Sequence, residues 1–307
     1  MNYTLHQLKV FLKVAKTKSI TKAAVELYLS QPAVSIQLKN FQDQFEIPLT
    51  EVIGRQLYIT DFGKEIAFAA EQILNEVDKI NFKTSAYKGI LSGVLKLSVV
   101  STGKYVMPYY LSEFMNSSPG IELEMDVTNR SKVITSLRNN EIDFALVSSI
   151  PEGININSEP LLLNKLYLVA NKNLELDQNL SIKKSLINIP HIYREEGSAT
   201  RNYMEDYLKK KGYLVKSKIQ LTSNEAIKQA VIAGLGVSIM PLIGLKNELE
   251  NGDVKIITAE GLPMISNWNL IWLNEKKMSP VASAYLDYIK IKKTVINEKQ
   301  FSWINNY

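Results

Sequence analysis

Apolar residues recur at helical spacing over residues 5–45 and predict three short helices, each with one buried side. The apolar positions of the first helix are Leu5, Leu8, Leu12 and Ala15, those of the second are Ala23, Ala24 and Leu27, and those of the third are Val34, Leu38, Phe41 and Phe45. Before the third helix, Ser30 stands where an N-cap belongs, and Pro32 falls in the first turn. The pattern predicts a helix-turn-helix.

The third helix also has a polar side, which carries the amide of Gln31, the hydroxyl of Ser35 and the cation of Lys39. These groups suit base edges and phosphates in a DNA major groove. An ordinary helical hairpin with a solvated polar side is the alternative. The residues that we expect to contact DNA are Lys22, Ser30, Gln31, Pro32, Ser35, Ile36, Lys39 and Arg55.

Two β-prone runs between Thr50 and Thr60 flank Gly54-Arg55 and predict a hairpin, or wing, beside the helix-turn-helix. A wing in that position lies along the DNA backbone or the minor groove, which would bring Arg55 close to DNA. The alternative is an exposed arginine on a simple turn. Together these elements predict a winged helix-turn-helix domain over residues 1–60.

A long helix is predicted over residues 61–88, where apolar residues alternate spacings of four and three. This spacing is typical of a coiled-coil seam, formed by Ile66, Ala70, Ile73, Val77 and Ile80. Such a linker helix would be a rod of about 42 Å that joins two copies of the chain. Gly89 and Gly93 follow as a hinge.

Strands and helices alternate over residues 89–307 and predict an α/β module. The repeated rhythm indicates two lobes with mainly parallel sheets and a cleft at the carboxyl ends of the strands. We place lobe I at about 92–162 plus 267–296 and lobe II at about 163–266. Residues 297–307 form an extension for which the sequence suggests no role.

Hydroxyl and arginine side chains stand at several strand-to-helix turns of this module and predict a site for a small anion. Helix N-termini with hydroxyls and guanidinium groups favour carboxylates, phosphates or sulfur oxyanions. The candidate residues are Ser101, Thr102, Arg130, Ser149, Ser198, Thr200 and Arg201. The alternative is that the hydroxyls only cap helices, and Glu195 and Glu196 would oppose an anion nearby.

Charge supports the DNA-binding interpretation and composition limits the chemistry. Residues 1–40 contain six lysines and one acid, while the whole chain carries a formal charge of +5, so the basic character lies at the N-terminus. With no cysteine and two histidines, no metal site or cofactor is expected. No apolar run is long enough to span a membrane, and we expect a cytoplasmic protein.

Two stretches, SITKAAVELYLSQPAVSIQLK and IPLTEVIGRQLYITDFG, resemble the LysR-type transcriptional regulators. The chain departs from the family pattern at Phe41-Gln42, Glu46, Thr50 and Val52. Within the effector module, VVSTGKYVMP, REEGSATR and SNEAIKQAVIAGLGVS are similar to the Calvin-cycle regulators called CbbR and their relatives.

The resemblance implies a winged helix-turn-helix, a coiled-coil linker helix and a bilobed α/β effector domain similar to periplasmic binding proteins. It also implies several partners: promoter DNA with an interrupted palindrome, a small-molecule effector, RNA polymerase, and further copies of the chain. By the family pattern, those copies form a dimer and then a tetramer of two dimers. No membrane partner is implied.

A solute-binding protein for transport and an enzyme of bilobed fold are the competing functions. The basic head and the missing signal peptide disfavour the first, and no acid–base or nucleophile set is visible for the second. The sequence thus predicts a DNA-binding regulator that responds to a small anion.

Overall fold

The structure, a computed structural model, describes residues 2–54, 56–87, 91–177 and 179–307, with the backbone alone at 75, 78, 79 and 81–87. It divides into two compact units, residues 1–90 and residues 91–307. Arg55, which is one of the predicted DNA contacts, lies outside the described residues.

The N-terminal unit has the predicted winged helix-turn-helix. Its elements are α1 (Leu5–Thr17), α2 (Ile20–Glu26), α3 (Gln31–Gln42), the wing strands β1 (Thr50–Ile53) and β2 (Gln56–Ile59), and α4 (Asp61–Tyr87). Ser19 caps α2 by accepting the backbone N–H of Lys22, and Ser30 caps α3 by accepting that of Ala33. The wing strands pair antiparallel. These local features follow the sequence closely because each depends on neighbouring residues.

The core of this unit forms where α1, α3 and α4 meet. Phe11 of α1 and Phe41 of α3 are both fully buried, with ring centroids 5.1 Å apart. The stripe expected on α1 is wrong at one end, since Leu5 is 44% exposed and Val14 is fully buried. The reason is that α1 packs against α3 and α4 together, so its buried side centres on Phe11 and Val14.

Helix α4 begins against the wing. The Thr60 hydroxyl accepts the backbone N–H of Gly63 at 2.9 Å and donates to the carbonyl of Pro48 at 2.7 Å. A side chain at Gly63 would meet the Leu49 carbonyl oxygen at 2.0 Å, so this close approach requires glycine.

The single seam predicted on α4 needs correction. Ala70 is only 1% exposed, and Ile66 packs with it into the core of the same chain, because this part of α4 lies against α1. Ala70 is therefore not available to a second chain, whereas Ile66 is only partly buried. Ile73 is 40% exposed, Val77 is partly exposed, and Ile80 has most of its side chain at the surface. The seam between chains stays a prediction for the other positions, of which Ile73, Val77 and Ile80 are the more exposed.

The C-terminal unit is built from nine strands and seven α-helices among the described residues. The strands are β3 (Ser92–Val100), β4 (Gly120–Thr128), β5 (Phe144–Val147), β6 (Ile156–Asn171), β7 (His191–Arg194), β8 (Lys218–Leu221), β9 (Ser238–Pro241), β10 (Val254–Ile257) and β11 (Met264–Leu273). The helices are α5 (Met107–Ser117), α6 (Arg130–Arg138), α7 (Ile182–Ser185), α8 (Ala199–Lys211), α9 (Asn224–Ile232), α10 (Lys246–Glu250) and α11 (Pro280–Ile296). Most of them lie where the apolar pattern predicts.

The sheets are mixed and not mainly parallel, which corrects the prediction. β3 pairs parallel with β4 and β5, and β7 pairs parallel with β8. By contrast, β6 pairs antiparallel with β11, β9 and β10, and β11 also pairs antiparallel with β5. The long strands β6 and β11 carry the chain from lobe I, around β3–β5, to lobe II, around β7–β10, and back. Two strands that run in opposite directions between the lobes must pair antiparallel.

The C-terminal extension, residues 297–307, packs on the effector unit. Phe301 and Ile304 are buried, and the Phe301 ring lies 5.4 Å and 5.9 Å from the rings of Tyr109 and Tyr110. The side-chain amide of Asn297 donates to the Leu161 carbonyl at 2.7 Å. The extension is therefore an ordered part of this unit, stabilised by apolar burial and hydrogen bonds.

The two environments on α4 give opposite expectations for the same substitution. Ala70→Glu would bury an unpaired carboxylate in the head and should lower the free energy of unfolding of that unit by about 3 kcal/mol. Ile73→Glu, at a partly exposed position, should leave the stability of the head close to that of the parent.

Circular dichroism during thermal unfolding measures both variants. The three tryptophans, Trp268, Trp272 and Trp303, all lie in the effector unit, so their fluorescence reports that unit separately. Equal destabilisation by the two substitutions would contradict this assignment of the buried side of α4.

Candidate nucleic-acid interface and effector cleft

Helix α3 presents the predicted DNA contacts on one side and its core residues on the other. Val34, Leu38 and Phe41 are buried. The predicted contacts Lys22, Ser30, Gln31, Pro32, Ile36 and Lys39 are exposed, and Ser35 is partly exposed. An exposed helical side of this chemistry, at the N-terminal part of a recognition helix, is what major-groove binding requires.

Some lysines of the head are held by acids of the same unit. Lys13 pairs with Glu26 at 2.8 Å, and Lys16 pairs with Glu71 at 2.6 Å. Both pairs are at the surface and contribute little to stability. Their effect is to neutralise two cations on α1, which leaves Lys22 on α2 and Lys39 on α3 as the cations placed beside the exposed side of the recognition helix.

A cavity in the effector unit brings together most of the predicted anion-binding residues. Its enclosed volume is only about 10 Å³, room for about one water molecule, although about 250 Å³ of empty space is present when the open mouth is counted. It is lined by Val100, Ser101, Thr102, Asn129, Arg130, Ser148, Arg194, Ser198, Ala199 and Thr200. The lining comes from the carboxyl ends of β3, β4, β5 and β7 and from the helices that follow them, so the two lobes both contribute.

Two helix N-termini and several hydroxyls converge on this cavity. Helix α6 begins at Arg130 and α8 begins at Ala199, and both starts line it. Ser198 occupies the N-cap position of α8 but makes no side-chain capping hydrogen bond. Its hydroxyl is therefore not committed to the cap. The exposed N–H groups of helix starts and the hydroxyls of Thr102 and Thr200 form a donor-rich surface suited to an anion.

The two arginines of the cavity differ in how their charge is balanced. Arg194 is 3% exposed, and its Nε and Nη2 groups donate to the two carboxylate oxygens of Glu195 at 2.7 Å and 2.8 Å. Arg130 contrasts with it, because its Nε is buried and has no hydrogen-bond partner among the described residues. A buried donor without a partner costs free energy, and an anion in the cavity would satisfy it.

The predicted effector residues Arg201 and Ser149 do not line this cavity. The Arg201 guanidinium donates to Glu205 at 2.9 Å, to Gln220 at 2.8 Å and to the carbonyl of Arg194 at 3.2 Å. It lies on the side of α8 that faces β8, where an acid four residues later pairs with it. Ser148 lines the cavity in place of Ser149, since successive side chains after a strand point to opposite sides.

Hydrogen bonds cross between the lobes on either side of the cavity. The Tyr203 hydroxyl of lobe II donates to the Ser148 carbonyl at 3.2 Å, and the Asn224 amide donates to the Ser101 hydroxyl at 3.1 Å. A side chain at Gly197 would meet the hydroxyl of Ser131 at 2.5 Å. The lobes are therefore closed around the cavity in this structure.

A second polar contact links the lobes beside Ser101. The Tyr105 hydroxyl donates to Glu225 at 2.9 Å, and Lys228 contacts Glu225 at 3.1 Å and Glu248 at 2.7 Å. Burial, and then the hydrogen bond to Glu225, raise the pKa of Tyr105 above its ordinary value, so the phenol stays protonated. Tyr105 thus remains a donor to lobe II at any physiological pH.

The candidate residues taken from the sequence do not include Ser148, Asn224, Arg194 or Asn129, and Glu195 appears there only as a charge that opposes an anion. Arg194 was the easiest to find, because it ends the buried strand HIYR at a strand-to-helix turn. Asn224 acts through Ser101, and no local pattern reveals this contact because the two residues are far apart in the sequence.

Within the described ranges, no helix has the length and hydropathy to cross a membrane, and no cluster of acids and histidines has metal-binding geometry. His191 is fully buried, and burial lowers its pKa, so its imidazole is neutral in the folded chain.

The geometry defines a winged helix-turn-helix protein with a bilobed effector module. A profile of the lysR family of bacterial regulatory helix-turn-helix proteins matches residues 5–64, and one of the LysR substrate binding domain matches residues 88–292. The chain belongs to the LysR family: it is a DNA-binding transcriptional regulator and not an enzyme.

Curated relatives confirm the resemblance to the CbbR-like branch. The transcriptional activator CmpR of Synechocystis sp. PCC 6803 is 37% identical over 94% of this chain and 95% of its own length. The RuBisCO operon transcriptional regulator of Allochromatium vinosum is 34% identical over 94% of this chain and 96% of its own. CbbR of Rhodospirillum rubrum is 35% identical over 93% of this chain and 95% of its own length.

Two solved structures show similar architecture. The regulatory domain of CcmR from Synechocystis PCC6803, solved with 2-PG, is 33% identical, covers 66% of this chain and 98% of that one, and has a TM-score of 0.61. Full-length CbnR, solved with its target DNA, is 19% identical, and the match covers 94% of this chain and 99% of CbnR with a TM-score of 0.64. At this identity the similarity shows the fold alone.

The Arg194–Glu195 pair gives a test of the cavity wall that needs no ligand. Glu195→Gln would leave the buried Arg194 guanidinium without its counter-charge and should lower the free energy of unfolding of the effector unit by about 2 kcal/mol. Glu196→Gln is the matched control. The Glu196 side chain is 90% exposed, and its carboxylate lies 4.0 Å from the Arg201 guanidinium, so this ion pair is long and contributes little.

Urea unfolding followed by tryptophan fluorescence measures both variants. A Glu195→Gln protein as stable as the control would show that the ion pair does not hold the cavity wall.

Proposed function

We propose that this regulator binds promoter DNA through the exposed side of α3 and responds to a small anion held in the cavity between the lobes. The DNA-contacting residues of the proposal are Lys22, Ser30, Gln31, Pro32, Ser35, Ile36 and Lys39. The proposal also includes dimers joined along the later part of α4, tetramers of two dimers, RNA polymerase as a downstream partner, and a cytoplasmic location. The operator of a two-headed dimer would be an interrupted palindrome.

The unpartnered Nε of Arg130 is the observation that carries the anionic effector. This donor stands at the start of α6, in a cavity that is also lined by the start of α8 and by the hydroxyls of Thr102, Ser198 and Thr200. An anion is favoured over a cation because two guanidinium groups line the cavity and no carboxylate of the described residues does. The relative solved with 2-PG makes that compound the first one to test.

An effector can alter DNA binding only if it binds one arrangement of the lobes better than another. The cavity is suited to such an effect because Ser101 and Thr102 belong to lobe I while Ser198 and Thr200 belong to lobe II. A ligand bound by both sets would favour the closed lobes. Tyr203, Asn224 and Glu225 already bond across the cleft, so the hydrogen bonds that a ligand would reinforce are those of the closed arrangement.

For DNA binding, Gln31→Ala should weaken binding to the operator by about 1–3 kcal/mol, because a bidentate contact with a base edge would be lost. Lys39→Ala should weaken binding to all sequences evenly and flatten its salt dependence, because a phosphate contact would be lost. Lys210→Ala, which removes an exposed lysine of the effector unit, is the charge-matched control.

Mobility-shift titrations with the DNA upstream of the chain's own gene, over a series of salt concentrations, give both quantities. The interface would be wrong if the folded Gln31→Ala and Lys39→Ala proteins bound like the parent.

For the effector, Arg130→Gln and Thr102→Ala should each weaken 2-PG binding by about 1.5–3 kcal/mol, since a hydrogen bond to a charged group would be lost. Arg201→Gln is the control, because that guanidinium bonds to Glu205 and Gln220 outside the cavity. Calorimetry with purified full-length protein measures all three.

Weakened binding by Arg201→Gln alone would contradict the site. Absence of binding to the parent protein would show that the effector differs from the ligand of the CcmR domain.

A further inference from the structure

Tyr28, in the turn between α2 and α3, combines two unfavourable features. Its φ is 54°, a left-handed conformation that favours glycine or asparagine, and its residue surface is 96% exposed. Among the described residues, the other non-glycine positions with positive φ are Lys18 and Asn140. Tyr28 is thus the one aromatic residue in this group, and neither backbone strain nor exposure of the ring helps the chain to fold.

The turn holds Tyr28 in this conformation through its backbone. The N–H of Tyr28 donates to the Val25 carbonyl at 3.2 Å, and the N–H of Leu29 donates to the Ala24 carbonyl at 2.9 Å. Leu29 packs against the core of the head. Any residue at position 28 must therefore adopt the same backbone conformation, and glycine or asparagine would do so with less strain.

Tyr28 precedes the N-cap of the recognition helix by two residues, since Ser30 caps α3. A recognition helix enters the major groove with its N-terminal residues nearest the bases. The turn that leads into it therefore lies beside the sugar–phosphate backbone at the edge of the groove. A phenol there has both a hydroxyl to donate to phosphate and a ring to cover a sugar.

We propose that Tyr28 is a DNA-backbone contact that positions α3 in the groove, with its hydroxyl donating a hydrogen bond to a phosphate oxygen. This inference rests on the proposed DNA binding by α3. Phosphate contacts from neutral side chains fix the register of a protein on DNA and carry no sequence information. The tyrosine would thus contribute to binding at the expense of the conformational stability of the turn.

Tyr28→Phe and Tyr28→Asn separate the hydroxyl from the ring. Tyr28→Phe should weaken binding roughly ten- to hundredfold, equally on the upstream DNA and on random-sequence DNA, because a hydrogen bond to a charged phosphate is lost. The slope of affinity against salt should not change, since no cation is removed. Tyr28→Asn should weaken binding further, while the unfolding midpoint of the head rises because asparagine tolerates the left-handed backbone.

Fluorescence anisotropy with both DNAs over a salt series measures binding by the full-length chain. Tyr3→Phe is the matched control: it removes the same atom from a partly exposed tyrosine of the same unit, whose ring packs on Phe41 and Phe45. Its affinity should equal that of the parent.

Unchanged affinity in both Tyr28 variants would overturn the proposal. If transcription fell while affinity stayed the same, Tyr28 would instead contact a protein such as RNA polymerase, which also overturns it. The proposed function is tested separately. It is supported if the parent protein prefers its upstream DNA and Gln31→Ala loses that preference, irrespective of the result for the Tyr28 variants. If the parent protein binds neither DNA, both the proposed function and the proposed role of Tyr28 are wrong.

Discussion

The antiparallel pairing of β6 with β11 is the constraint on which the effector unit depends. Residues 156–166 of β6 pair with residues 264–273 of β11, and residues 166–171 continue into lobe II beside β9 and β10. Because both strands run through both lobes, the lobes can move relative to each other only by bending or twisting these strands. The cavity walls are therefore held near each other, and a small ligand is large enough to contact both.

Most arginine side chains at or near the cavity are already paired with groups of the same chain, without a ligand. Arg194 is already paired with Glu195, and Arg201 is directed to Glu205 and Gln220. Arg130 is the guanidinium with an unsatisfied buried donor. An anion would thus replace a costly unpaired group by a charge-assisted hydrogen bond and would gain further donors from hydroxyls and helix starts. The full set of donors is available only when both lobes contribute, because Ser198 and Thr200 belong to lobe II.

Sequence patterns predicted the head and the positions of most strands and helices, because caps, turns and apolar stripes depend on near neighbours. They failed where packing between distant elements decides. Ala70 fits a heptad as well as Ile73 does. Contact between α4 and α1 nevertheless buries Ala70, while Ile73 is partly exposed. The direction of β6 and β11 has the same origin, since these strands pair across about 100 residues of sequence.

In the proposed regulation, an anion in the cleft of the effector unit alters the way in which the DNA-binding heads of the oligomer hold promoter DNA. DNase I footprinting of the upstream DNA, with and without 2-PG, tests it most directly. The account predicts protection of two half-sites on one face of the DNA, with an extent or a hypersensitive position that changes when 2-PG is added. Protection that is identical at every concentration of 2-PG, from a chain that binds the compound, would contradict it.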